Sequence, residues 1–183
     1  MLTASAYIYS GGGFFMSKKL LIYEGLGLLF SLLCGLILHY SYALSGENAI
    51  VSFFSATNES VWEHLKLLFF PAFLYTAIEY FYIGKRYSGF IITKALAVLI
   101  GLLFTTAAYY TYSGAIGKNI GLVNILIFVF SCLVCYGFSY FKLLNNSPRT
   151  KYANAYGAAI LVLLTFLFVL FTLTPPEIPL FGF

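Results

Sequence analysis

Five apolar runs of about twenty residues recur along this chain, at 20–40, 60–83, 90–110, 120–141 and 153–173. In lipid a backbone must satisfy its own N–H and C=O groups, so a spanning segment is a helix or a strand of a closed barrel. Runs of this length are about twice what a barrel strand needs and suit a helix crossing a ~30 Å hydrocarbon core. The expected fold is therefore all-α, a polytopic transmembrane bundle of about five spans. Composition points the same way. With 61% hydrophobic and 9% charged residues in 183, the chain lacks the polar side chains to cover a water-facing surface. The lipid bilayer is thus its first expected partner.

The basic residues sit between the apolar runs, so the net charge of +4 marks orientation and not nucleic-acid binding. If the spans alternate, Lys18, Lys19, Lys85, Arg86, Lys94, Lys142, Arg149 and Lys151 share one side, and only Lys66 and Lys118 fall on the other. The positive-inside rule then predicts a cytoplasmic N-terminus and an extracytoplasmic C-terminus. Residues 1–15 differ from the rest: short, glycine-bearing and uncharged, ahead of Met16-Ser17-Lys18-Lys19, which reads as a natural start. They are expected to be a mis-called start or a frayed, interfacial extension, since no basic n-region precedes an apolar core as in a signal peptide. Residues 16–183 form a single integral-membrane domain.

Cys132 and Cys135 have the CxxC spacing, but no second pair completes a zinc site, and with Cys34 they lie inside apolar runs, where thiols act as small hydrophobes. Glu24 and Glu79 fall towards the same ends of their spans as Lys94, so a Glu24–Lys94 or Glu79–Lys94 ion pair is expected there. Pro71 interrupts the hydrogen-bond ladder of the second span and frees a carbonyl near Leu67.

One stretch stands out. Asn58-Glu59-Ser60-Val61-Trp62-Glu63-His64-Leu65-Lys66 places two carboxylates, an imidazole, an amide, an indole and an ammonium in nine positions, immediately before an apolar run. Helix capping explains part of it. Ser60 and Glu63 match a capping box, Trp62 suits the headgroup belt, and Lys66 can snorkel outward. Capping leaves Glu59 and Glu63 one turn apart, a like-charge pair that costs about 0.2–0.5 kcal/mol. It also leaves both histidines of the chain, His39 and His64, at one membrane depth on consecutive antiparallel helices. A cation would relieve the repulsion. Glu59, Glu63, His64 and His39 are reasonable ligands for a divalent metal such as zinc, iron or manganese, and Glu59, Glu63 and His64 suit general acid–base work. Asn58, Trp62, Lys66 and His39 would line a ligand site beside them. No HExxH motif is present. The proline-rich tail, Thr174-Pro175-Pro176-Glu177-Ile178-Pro179-Leu180-Phe181, is expected to be extended and able to fold over this face, bringing Glu177 with it.

On the residues 58–67, His39-Tyr40 and Pro175-Pro176-Glu177-Ile178-Pro179-Leu180-Phe181, the chain from Met16 onward resembles an uncharacterised family of small bacterial integral-membrane proteins. The resemblance implies a multi-pass protein of the bacterial cell membrane and gives no activity. Members of that family often carry His where this chain has Glu177, a departure that weakens a ligand role for Glu177.

Three functions from different classes follow. The first is a site on the extracytoplasmic face for a metal or small ligand, in its sharpest form a metal-dependent membrane enzyme acting on a lipid-like or envelope substrate. The second is a component of a small-solute transporter, which calls for a deep cavity between spans. The third is an interaction or assembly protein, in which internal hydrogen bonds use up the whole polar stretch.

Overall fold

The computed structural model describes residues 11–145 and 150–182, with side chains from residue 17 onward at the N-terminal end. Six helices follow one another: α1 (Gly11–Leu44), α2 (Ala49–Ser52), α3 (Val61–Tyr82), α4 (Phe90–Ile116), α5 (Gly121–Leu144) and α6 (Ala153–Leu173). Tight 3-10 turns occupy Gly84–Arg86 and Pro179–Phe181, and there is no strand among the described residues. Of the expected extension at 1–15, residues 1–10 lie outside the described part, and from Gly11 the chain already belongs to α1. Pro148 and Arg149 also lie outside it.

Four helices are long and apolar enough to cross a bilayer: α1 over Ser17–Leu44, then α4, α5 and α6. The expected second span, α3, is long enough but too charged to join them, since it carries Glu63, Lys66 and Glu79. Its neighbours explain how those charges are tolerated. Helix α3 packs against α1 and α4 and touches α5 and α6, so all three ionisable side chains are buried in protein and kept from lipid. Helices α1, α3, α4 and α5 close into a bundle, and α6 lies outside against α4. Leu68, Phe69, Val98, Cys132 and Phe168 are at the heart of its core. The three cysteines are free thiols, Cys132 and Cys135 buried.

Two helices overrun the apolar runs that predict them. Helix α1 continues to Leu44 and ends where Gly46 and Glu47 turn left-handed, at φ of 68° and 62°. Helix α4 continues to Ile116 and stops at Gly117, whose φ of 73° forms a left-handed cap bonded to the Ser113 carbonyl. Pro71 is accommodated inside α3. It has no N–H for the Leu67 carbonyl, and that oxygen faces α1 at Gly35, where an added Cβ would come within 2.8 Å of it.

The antiparallel succession sorts polar residues to the two ends of the bundle. One end gathers Glu24, Glu79, Lys94 and Ser139. The other gathers His39, the residues 57–66 and Thr172.

Candidate functional site

The polar stretch begins with a cap. Ser60 stands at the N-cap of α3 and its hydroxyl accepts from the Glu63 amide at 3.3 Å. The capping box does not close, because the Ser60 amide donates to Asn58 Oδ1 at 2.9 Å. Glu63 turns instead to Thr57, accepting from its amide and its hydroxyl at 2.8 Å each, and pairs with Lys66 at 2.6 Å.

Lys66 does not snorkel. Its side chain is fully buried, and the ammonium also donates to the Ser52 carbonyl at 2.8 Å and to Thr172 Oγ1 at 3.0 Å. An ammonium has three N–H groups, and these three acceptors use them all. Lys66 has no N–H left for a ligand, so its expected role as a ligand contact has no geometric support; Glu63 takes its three close donors on Oε2, while its Oε1 has only Thr172 Oγ1 at 3.5 Å.

The other carboxylate of the stretch has a different fate. Glu59 is largely exposed, and its Oε2 lies 3.5 Å from His64 Nε2. The opposite nitrogen of that ring, Nδ1, is 2.8 Å from the Ser60 carbonyl, which can only accept. Nδ1 therefore carries a proton, and Nε2 is the ring nitrogen turned to the Glu59 side. His39 arrives from the end of α1 with its ring 5.2 Å from that of His64, edge to face. Its Nδ1 is buried and has no hydrogen-bond partner among the described residues. One donor atom from each of His39, Glu59 and His64 lies within 4.8 Å of the other two.

A cavity of about 50 Å³ adjoins this trio, bounded by Glu59, His64, Leu68, Thr105, Tyr109 and Asn124 among others. It is large enough for ordered water or a small ligand group. A larger hollow of about 430 Å³ opens across α3 between α1 and α6, bounded by Phe30, Ile37, Phe54, Phe70, Pro71 and Leu74 among others, nearly all apolar.

Trp62 points to the other side of α3. Its ring packs on Phe168, Phe171 and Phe181 with centroids 4.7, 5.4 and 5.0 Å away, so it anchors the C-terminal turn and does not line the histidine site. The tail does fold back, through Pro179–Phe181, with Phe181 buried, but it covers Trp62 and Ser60. Glu177 is exposed and stands outside the three-donor group, as do Asn58 and Glu63. The local pattern around residues 58–66 gives no sign of Ser52 and Thr172 as partners of Lys66, and offers Thr57 as a cap where it is a donor to Glu63. The available signal was the pair Thr165 and Thr172, seven residues apart on one face of an otherwise apolar helix.

At the opposite end, Lys94 joins both expected partners at once, Glu24 Oε1 at 2.7 Å and Glu79 Oε2 at 2.6 Å. Ser139 also donates to Glu24 Oε1, at 2.6 Å.

These features define an all-helical protein of multi-pass membrane type, with a histidine–carboxylate cluster at one end of the bundle and a buried charged cluster at the other. Residues 14–182 match a family of unknown function (DUF6512), and the chain belongs to that family. No curated protein and no solved structure matches it.

Proposed function

We propose that this protein binds a divalent transition-metal ion through His39, Glu59 and His64 at the extracytoplasmic end of its bundle, and uses it in a hydrolytic reaction on a lipid-like substrate. The observation that carries this reading is the trio itself. Three donors from α1, the 53–60 loop and α3 converge within 4.8 Å, and one member has a buried nitrogen with nothing to bond. Burying a ring nitrogen without a partner is unfavourable, and a metal ion on either ring nitrogen would fix the orientation of that imidazole.

Two imidazoles and a carboxylate are the donor set of catalytic zinc sites, which hold three protein ligands and keep a fourth position for water. The Ser60 carbonyl already orients His64 for that role by holding Nδ1–H. The adjoining cavity is bordered by Glu59 and His64 and can take a metal-bound water with a small reacting group. The apolar hollow starts beside Ile37 and Leu38, adjacent in sequence to His39, and suits an acyl chain. An apolar groove that begins one residue from His39 favours a lipid-like molecule over a free solute, and the enzyme reading over transport.

Metal analysis of protein purified in detergent without chelator tests this. The expected result is about one metal ion per chain, absent from His39→Ala and His64→Ala variants that elute and unfold like the parent. Metal-free parent protein, or metal that both variants retain, overturns the reading.

A further inference from the structure

The two buried clusters differ in charge balance. Glu63 faces one ammonium, Lys66. Glu24 and Glu79 together face one ammonium, Lys94, and all three are at most 3% exposed. Fully ionised, the second cluster would hold one uncompensated negative charge in the interior of the bundle.

Among the described residues Lys66 and Lys94 are the only buried cations, and Lys66 lies at the other end of the bundle. Helix α1 contributes Tyr23 beside Glu24; its carbonyl accepts from Tyr75 of α3 at 2.7 Å, and its ring packs near Tyr82. Helix α5 contributes Ser139, which donates to Glu24, the buried thiol of Cys135, and Tyr136, whose hydroxyl is 2.7 Å from Ser31. Tyr140 lies in the neighbouring apolar cluster. From α4, only Lys94 itself is charged here; its ammonium lies 5.3 Å from the Phe90 ring and 5.5 Å from the Tyr136 ring. The turn after α3 carries Lys85 and Arg86, both exposed. Tyr87 follows them, and burial pushes its phenol up, so it is neutral at ordinary pH.

We infer that this cluster is a proton-binding site, with one proton resident on Glu79 and the ammonium of Lys94 shared between Glu79 and an ionised Glu24. The geometry distinguishes the two carboxyls. Glu24 Oε1 accepts from both the ammonium and the Ser139 hydroxyl, and donors of this kind favour the charged form. Glu79 receives only the ammonium, on Oε2; each acid keeps an oxygen without a partner, Glu24 Oε2 and Glu79 Oε1, but only Glu79 lacks a hydroxyl donor to hold it ionised, so the proton falls to its Oε1. A proton needs that single oxygen. A sodium or potassium ion would need several and would stand beside the ammonium already there. Because Lys94 touches both acids, moving the proton from Glu79 to Glu24 shifts the ion pair from one helix to another without altering net charge. The site is fifteen residues along α1 from His39, roughly 22 Å, and independent of the metal reading.

The test is infrared spectroscopy of the full chain in lipid nanodiscs at neutral pH, reading the carbonyl stretch of protonated carboxylic acids. The chain has six acidic side chains, all Glu, so the band can be assigned by substitution. The parent should show one protonated carboxyl. Glu79→Gln and Glu24→Gln should each abolish it, since either leaves one carboxylate to one ammonium, and Lys94→Met should raise it about twofold. The two glutamine variants suffice if Lys94→Met fails to fold. No such band in the parent, a band that Glu79→Gln leaves in place, or one that emerges only when sodium and potassium are withdrawn overturns the inference. Metal content at the histidine end should be unchanged in Glu79→Gln, so failure here and failure of the metal reading are separable.

Discussion

Two sides of the first turns of α3 start from the same nine residues and end differently. On the side facing α6 and the C-terminal turn, Glu63 and Lys66 are buried together, and Thr57, Ser52 and Thr172 complete their hydrogen bonds. On the side facing α1 and α5, Glu59 is exposed, His64 is partly exposed, and His39 keeps a nitrogen without a partner. The first side is closed by tertiary structure and the second is left available. A dense polar sequence is thus no single site. Helical geometry divides it into a structural half and a half that can meet a ligand.

Breaking the closed side should have the largest effect on stability. Lys66→Met leaves Glu63 buried without its cation and should cost about 3–5 kcal/mol, read as a fall in unfolding temperature in detergent. An equal loss in His64→Ala would erase the distinction between the two sides. Phe181→Ala removes the ring that closes the C-terminal turn over Trp62 and should cost about 3 kcal/mol, with metal binding unchanged.

Loading the open side is the next effect in size. Metal at a hundredfold excess over its dissociation constant should stabilise the parent by about 2.7 kcal/mol, and a chelator should remove that increment. The increment should shrink as pH falls, because imidazole must lose its proton to bind metal. Ser60→Ala comes next, losing the N-cap for about 1 kcal/mol. Smallest is His39→Ala without metal, which should change stability by less than about 1 kcal/mol while abolishing the metal-dependent increment.

Much of this arrangement was legible in the sequence. The apolar runs located every long helix, and their alternation set His39 at the same end as His64. Where α1 and α4 end was not legible, because left-handed turns at Gly46 and Gly117 set those two ends, and apolarity carries no signal for them, whereas α6 keeps the expected bounds. The fate of Lys66 was hidden for a different reason. Its acceptors Ser52 and Thr172 come from the loop before α3 and from α6, and local pattern cannot show such distant partners. Lys94 was expected to serve one carboxylate and serves two, since α1 and α3 both present an acid at its level.

The central claim concerns the ligands of a metal, and X-ray absorption at the zinc edge of protein loaded in lipid reads those ligands directly. Nitrogen and oxygen neighbours with the signature of two imidazoles are expected, reduced to one in His39→Ala. Sulfur in the coordination shell, or a parent spectrum identical to that of His39→Ala, would contradict that claim.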